Sequence, residues 1–177
     1  HFLDCADQEA AEKIAASVNA VVLALRRIEQ LDRLDGITFA QDYPRALSEL
    51  DRGFVTNSPL VPTNEDYAVG VAMAPIVVRE GKIKNHIVIR ADIGHALLGE
   101  DLDSRDFCLH ALVNQLAVVS NTQLLDEALP GFLLSQPADE YNRFLYPHVD
   151  GACSGYFSAR FSAGFYPAMG QHYRTIL

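Results

Sequence analysis

The sequence predicts an α+β domain in which a small sheet packs against one long central helix. Strand-like runs rich in Val and Ile occur close together between residues 67 and 90, and apolar residues at helical spacing fill 103–123. Strands grouped in one part of the chain and helices in another are typical of the α+β class. The 177 residues suit a single domain, 1–177, with a helix-and-strand part at 1–100 and a helical part at 101–177.

The chain before the sheet predicts a long first helix, a short strand and a short helix. Apolar residues keep helical period over residues 6–34, and the Asp35-Gly36 pair is expected to end that helix. An alternating pattern predicts a strand over 37–42. Pro44 suits the first turn of a helix, because its missing N–H is not needed there, so a second helix is expected from residue 44 to about 51.

Two segments rich in Val and Ile predict a β-hairpin. They cover residues 67–78 and 82–90, and the turn between them falls at Glu80-Gly81. Pro75 lies inside the first segment. Because proline cannot donate to a sheet ladder, it predicts an edge strand or a bulge there.

The second half of the chain predicts helices. A brief helix at 91–98 precedes the central helix at 103–123, which is expected to continue to Leu129. A short helix at 138–145 is expected to stop at Pro147, and a last helix follows at 151–164, before a tail at 173–177.

Composition excludes two classes of partner. The formal net charge is −9, whereas nucleic-acid backbones and anionic membrane surfaces attract proteins rich in Lys and Arg. No run approaches the roughly 18 consecutive apolar residues of a membrane span. We therefore expect neither a nucleic acid nor a membrane as partner.

The cysteines indicate free thiols. Cys5, Cys108 and Cys153 are widely spaced and odd in number, and no C-x-x-C pair occurs, so a zinc ribbon and a thioredoxin-type site are excluded. Cys108 falls inside the central helix, where a buried free thiol is the usual interpretation. This usage favours a reducing, cytoplasmic location.

The middle of the central helix, residues 112–119 (LVNQLAVV), resembles the active-site helix of zincin metallopeptidases, usually of the form L-x-H-E-L-x-H-V. In such a site two histidines one turn apart hold Zn²⁺, and the neighbouring glutamate takes a proton from the metal-bound water. The matching positions here are Asn114, Gln115 and Val118. A neutral amide is a poor zinc ligand, glutamine cannot accept the proton, and valine has no lone pair. The resemblance therefore implies a zincin-like fold without cofactor or hydrolysis.

A later segment, residues 152–163, resembles the helix that supplies the third zinc ligand in some of these families, of the form W-x-E-Y-x-A-x-R. The residues that match this form are Tyr156, Ala159 and Arg160. Gly155 stands where the acidic ligand is expected, and Cys153 stands where the tryptophan is expected. The resemblance covers residues 82–165 in order: strand, acidic turn, motif helix, connector and second helix.

The first functional hypothesis is a catalytically inactive, zincin-like binding or regulatory module. A peptide or protein would occupy the residual cleft between hairpin and central helix, and an extended peptide could add to an exposed strand edge there. The residues expected to form this binding site are His110, Asn114, Gln115, Tyr156 and Arg160.

Two alternatives stay open. One is a zinc-dependent hydrolase with displaced ligands centred on His110, although a lone histidine on such a helix is more often a hydrogen-bonded core residue. Its further ligands would come from His86, His95, His148, Asp126, Glu127 or Glu140. The other is a structural or oligomerising domain without a ligand. Aromatic residues that could pack in the core or form a partner or homo-oligomer interface are Tyr141, Phe144, Tyr146, Tyr156, Phe157, Phe161, Phe165, Tyr166 and Tyr173.

Overall fold

A computed structural model describes residues 1–3, 7–65, 68–135 and 139–166 of the chain. Expectations for Cys5, Tyr67, Ala138 and the tail at 173–177 lie outside the described residues. The described part confirms the α+β class, with a small mixed sheet and one long central helix.

The helices occupy most of the described chain. They are α1 (Gln8–Leu25), α2 (Tyr43–Ser48), α3 (Ala91–His95), α4 (Leu102–Ala128) and α5 (Glu140–Ser162), with 3-10 turns at Ala96–Leu98 and Ala163–Phe165. The longest is α4, which contains the predicted central helix. The side chain of Asp101 accepts a hydrogen bond from the Ser104 N–H at its start, so the acidic turn before α4 serves as its cap.

Seven short strands are described. They are β1 (Phe2–Leu3), β2 (Leu34–Ala40), β3 (Asn64–Glu65), β4 (Ala68–Val69), β5 (Ala72–Met73), β6 (Ile76–Arg79) and β7 (Lys82–Arg90). Strands β1, β2 and β7 are parallel neighbours, and β5 and β6 both pair antiparallel with β7 on its other side. Strands β3 and β4 form a separate two-stranded hairpin.

The predicted hairpin is present, and its first strand is interrupted at the predicted proline. Met73 pairs with Val88 and Ile76 with Asn85, so β5 and β6 continue one register on either side of Pro75. The buried Asn85 side chain donates from Nδ2 to the Ala74 carbonyl at 2.8 Å. A side-chain amide thus bonds the backbone at the point where proline cannot donate.

The outer edge of β6 is covered by the chain itself. The Val78 N–H donates to the Arg52 carbonyl at 2.8 Å, and Arg52 Nε donates to the Ile76 carbonyl at 3.2 Å. Gly53 passes so close that a Cβ there would collide with the Val78 carbonyl oxygen. Covering an edge in this way prevents unwanted strand addition. The expectation that a peptide adds to this hairpin therefore does not fit residues 76–78.

The main core lies between the sheet and helices α1 and α4. It brings together residues of α1, β2, β7 and α4 with two residues outside these elements, Leu31 and Ala74. The full set is Ile14, Val18, Val22, Leu25, Leu31, Phe39, Ala74, Ile87, Ile89, Leu112, Val113, Leu116 and Val119. A smaller cluster around α2 covers the opposite face of the sheet: Ala40, Tyr43, Leu47 and Val88. A sheet buried on both faces explains why β7 is apolar over Ile87, Val88 and Ile89 in succession.

The first helix is shorter than its sequence predicts, since α1 ends at Leu25 and not near residue 34. The chain then turns, leaving Ile28 70% exposed and burying Leu31 in the core at 2%. The predicted end of the helix at Asp35-Gly36 is wrong, because both residues lie in β2. Burial of Leu31 and pairing of β2 outweigh the helical period beyond Leu25.

The prediction that Pro147 stops a helix is wrong. Pro147 lies inside the continuous helix α5. A proline removes the backbone hydrogen bond to the carbonyl four residues earlier, which here belongs to Arg143. Both residues are exposed, so water can bond that carbonyl and the helix continues.

Candidate functional site

Helix α4 buries most of the degenerate motif against the sheet and leaves Asn114 and Gln115 outside the core. Leu112, Val113 and Leu116 are fully buried in the core, whereas Asn114, Gln115 and Val118 are half-buried. The apolar residues of the motif thus anchor α4 to the sheet. Of the positions that match zinc ligands in the resembled family, Asn114 contacts α5 and Val118 packs partly against the main core.

The amide side chains of the motif are tied to α5 by hydrogen bonds. Gln115 Nε2 donates to Asn114 Oδ1 at 3.2 Å, and Asn114 Nδ2 donates to Ser162 Oγ at 3.3 Å. Ser162 Oγ in turn donates to the Ser158 carbonyl at 2.8 Å. Ser158 and Ser162 are buried, and sequence analysis missed both because small polar residues carry little periodic signal.

His110 joins the same cluster one turn earlier on α4. Its Nδ1 lies 3.1 Å from the Ser162 carbonyl oxygen, so Nδ1 carries the proton and donates. The residue is buried. We call the set His110, Asn114, Ser158 and Ser162 the interhelical clasp. In it His110 is a hydrogen-bonded core residue that holds two helices together.

The other predicted site residues do not join the clasp. Tyr156 and Arg160 are exposed on α5, where Arg160 Nη1 donates to the Tyr156 hydroxyl at 3.0 Å. Gly155 is also exposed, and a Cβ there would meet nothing within 4 Å. The structure therefore brings His110, Asn114 and Gln115 together and leaves Gly155, Tyr156 and Arg160 at the solvent side of α5.

Five of the six proposed displaced ligands are bonded elsewhere, among them Glu127 to Gln123, Glu140 to Arg143 and His148 to the Phe144 carbonyl. His86 bonds Asp35 and Thr38, and Asp126 Oδ2 accepts from Arg33 Nη2 at 2.9 Å. Within the described ranges, no three His, Cys, Asp or Glu side chains are arranged to hold a metal ion. This geometry gives no support to a zinc site centred on His110.

An Asp–His–Thr chain between β2 and β7 was not predicted. His86 Nδ1 lies 2.8 Å from Asp35 Oδ2, and His86 Nε2 lies 2.8 Å from Thr38 Oγ1. The pairing of β2 with β7 shifts between Leu34 and Gly36, as at a β-bulge, and a Cβ at Gly36 would lie 3.1 Å from His86 Cε1. Bulges redirect side chains, which accounts for Asp35 reaching His86.

The hydrogen bonds from Asp35 to His86 to Thr38 follow the order of a hydrolase triad, but the surroundings of these residues differ from those of a working triad. Thr38 is only 7% exposed, and Arg79 Nε lies 3.4 Å from Asp35 Oδ1. A nucleophile must be reachable by its substrate, so we assign these residues to strand pairing. The only signal in the sequence was the Asp35-Gly36 pair, which we had assigned to a helix end.

Helix α5 carries an exposed apolar surface. Only Ser158 and Ser162 are buried among its described residues, although the helix is 23 residues long. Four of its large side chains are half to mostly exposed: Tyr141 71%, Phe144 68%, Val149 50% and Tyr156 66%. The prediction left open whether the aromatics pack in the core or face a partner. The structure exposes Tyr141, Phe144 and Tyr156, whereas Tyr146 and Phe157 are half-buried and Phe161 packs partly against the main core.

A cleft of two chambers lies where α5 meets the end of α4. The first chamber, of about 260 Å³, is lined by Asn121, Leu125, Leu129, Phe132, Leu145, Tyr146, Val149, Asp150 and Cys153. The second, of about 320 Å³, is lined by Phe132, Leu133, Ser135, Tyr146, Pro147 and Asp150. Phe132, Tyr146 and Asp150 belong to both. We call these two chambers together the α5 cleft.

Asp150 is the one acidic group in the lining of the α5 cleft. Burial raises the pKa of its carboxyl, because a low-dielectric environment disfavours the charged form. Among the described residues, none forms a salt bridge or hydrogen bond with this side chain. The cleft is thus mainly apolar, with one carboxyl group at the boundary between its chambers.

Comparison with protein families, curated proteins and solved structures finds no match for this chain. None of the described helices has the length and apolar character needed to cross a bilayer.

Proposed function

We propose that this protein is a non-catalytic, zincin-like domain that serves as a binding or regulatory module. The order of β7, acidic turn, α4, connector and α5 follows the order of the resembled segment in the sequence. The neutral residues Asn114, Gln115 and Val118 replace the ligands and the general base of a working metallopeptidase.

The interhelical clasp is the observation that carries this proposal. Asn114 and His110 direct their donors at Ser162, so the side chains nearest the lost metal position bond within the protein. A working site instead keeps deprotonated ligands and an open coordination position for water. The scaffold has therefore exchanged metal chemistry for contacts between helices.

A protein partner fits this module better than a nucleic acid, because the net charge is −9. Since residues 76–78 of the hairpin edge are covered, we place the partner on the open face of α5. Cys108 and Cys153 are free thiols, which suits a reducing compartment such as the cytoplasm.

Metal content and hydrolysis test the proposal. Protein purified without a nickel column is analysed for zinc by mass spectrometry, before and after exposure to one equivalent of Zn²⁺, and assayed against a mixture of unstructured peptides. We expect substoichiometric zinc and no cleavage. The matched variants are His110→Ala, in the clasp, and His148→Ala, an exposed histidine on α5. Stoichiometric zinc that disappears in His110→Ala but not in His148→Ala would show a displaced metal site and overturn the proposal.

A further inference from the structure

The carboxyl ends of the parallel strands β2 and β7 lie side by side. Ala40 pairs with Arg90, and each is the last residue of its strand. In open sheets, ligands bind in the crevice beyond the carboxyl ends of parallel strands, where the segments that follow the strands diverge. A pocket of about 320 Å³ lies here, and Tyr43, Pro44, Pro62 and Arg90 are part of its lining. We call it the strand-end pocket.

The hydroxyl of Tyr43 is a buried polar group without a hydrogen bond. Tyr43 is 3% exposed, and its hydroxyl oxygen has no partner among the described residues. Burial raises the pKa of Tyr43 to about 12, against the opposing effect of the positive charge of Arg90, so the hydroxyl keeps its proton at neutral pH. A buried O–H without an acceptor is destabilising. The Tyr43 hydroxyl is therefore a donor that a ligand could satisfy.

Arg90 supplies a second donor to the strand-end pocket. Its Nε and Nη2 donate to the two carboxylate oxygens of Asp92 at 3.0 and 2.6 Å, while Nη1 has no acceptor among the described residues. Val88 packs in the cluster that contains Tyr43, and side chains alternate along a strand, so Arg90 lies on that same face of β7. Asp92 thus fixes the guanidinium of Arg90 and leaves one of its nitrogens for a ligand.

These two donors suit a ligand that carries one carboxylate. Hydrogen bonds from a guanidinium or a hydroxyl to an ionised oxygen are stronger than those between neutral groups. A phosphate dianion suits the pocket less well, because Asp92 already offsets the charge of Arg90. The carboxylate of the exposed Asp42, which directly precedes Tyr43 in the chain, would also repel a second negative charge.

We infer that the strand-end pocket binds a small organic monocarboxylate, whose oxygens accept from the Tyr43 hydroxyl and the Arg90 guanidinium. Small-molecule sites usually measure about 300–1,000 Å³, so a pocket of about 320 Å³ suits a small ligand. The rings of Pro44 and Pro62 offer its apolar part a wall. Tyr43 belongs to the cluster on the face of the sheet away from α4, so this site is separate from the α5 surface and goes beyond the proposed function.

The test measures the binding of benzoate, its uncharged analogue benzamide and inorganic phosphate to the whole chain by ligand-observed nuclear magnetic resonance. Wild type should bind benzoate about tenfold more tightly than benzamide or phosphate. Tyr43→Phe and Arg90→Gln should each weaken benzoate binding by about tenfold, because each removes a donor to a charged group. The matched controls Tyr141→Phe and Arg143→Gln change exposed residues of α5 and should leave the affinity for benzoate unchanged.

Thermal unfolding without ligand gives a second measurement. Tyr43→Phe removes a hydroxyl that has no partner in the folded protein, so the variant should have the same Tm as wild type or a higher one. A lower Tm would show that the chain itself already bonds this hydroxyl and would overturn the inference. So would absence of benzoate binding, equal affinities for benzoate and benzamide, tighter binding of phosphate, or unchanged benzoate binding in Tyr43→Phe. Neither zinc content nor α5 is altered by these variants, so the inference can fail while the proposed function stands.

Discussion

Helices α4 and α5 are of similar length and pack against each other, yet they differ completely in burial. Eleven residues of α4 are buried, including Cys108, Leu112 and Leu116, whereas α5 buries two serines. The first is the centre of the core, and the second is held to it by the interhelical clasp and by half-buried side chains such as Tyr146 and Phe157. The difference teaches that α4 maintains the fold while α5 presents a surface.

This difference has consequences for what each helix can tolerate. Substitutions in α4 remove contacts inside a close-packed interior, where even one missing methylene is felt. Substitutions in the first two-thirds of α5 change groups that water already reaches. Substitutions in α4 should therefore lower the free energy of unfolding, and substitutions in the exposed part of α5 should change the binding of a partner.

The largest difference between the two helices is expected in the rates at which their cysteines react with a thiol reagent. Cys108 on α4 is 1% exposed, and burial raises the pKa of its thiol to about 12, whereas Cys153 on α5 is exposed. In a Cys5→Ser background, we expect Cys153 to react with a thiol reagent at least about a thousandfold faster, because Cys108 must wait for unfolding. A Cys108→Ala variant assigns the fast phase. Similar rates for both thiols would mean that α4 opens as readily as α5.

Core truncation should show the next largest contrast. Leu112→Ala on α4 empties a fully buried site and should lower the free energy of unfolding by about 3–5 kcal/mol. Leu145→Ala on α5 removes a half-buried side chain from the cleft wall and should cost about 1 kcal/mol or less. Urea unfolding measures both. Equal losses would show that α5 belongs to the same core as α4.

The sequence predicted α4 and the hairpin because their signals are local. Helical period and capping acids define α4, and the Glu80-Gly81 turn with Pro75 defines the hairpin and its interruption. Pro147 was misinterpreted, because its effect on a helix depends on whether water reaches the freed carbonyl. No local pattern contains that information.

The candidate site was only partly predictable for a related reason. His110, Asn114 and Gln115 lie near one another because they share one helix. Their partners Ser158 and Ser162 come from α5, whose rotation about its axis turns Gly155 and Arg160 towards solvent. The Asp35–His86 contact likewise needs the register between β2 and β7, which the sequence does not state.

The clasp can be tested with two histidines. His110→Ala removes a buried donor and leaves the Ser162 carbonyl without that bond, which should cost about 1–3 kcal/mol of unfolding free energy. His148 on α5 is exposed, and within the described part of the chain it bonds only the Phe144 carbonyl of its own helix, so His148→Ala should change stability by about 0.5 kcal/mol or less. If both variants lose the same amount, the clasp contributes nothing specific. A double-mutant cycle of Asn114→Ala and Ser162→Ala measures the side-chain bond of the clasp, because Asn114 Nδ2 donates to the Ser162 hydroxyl oxygen.

The smallest change in stability is expected for Asp150→Asn. Burial raises the pKa of this carboxyl in the folded state, so the native protein holds the proton more tightly than the unfolded chain does. Stability therefore falls as the pH rises from the pKa of this carboxyl in the unfolded chain through its pKa in the folded protein, and the loss persists at neutral pH. Asp150→Asn removes this loss, because asparagine does not ionise.

Thermal unfolding should thus give a slightly higher Tm for Asp150→Asn at pH 7, and the gain should disappear at a pH below both pKa values. An Asp150→Asn variant that is less stable than wild type at pH 7 would mean that the folded protein already stabilises the charge of Asp150.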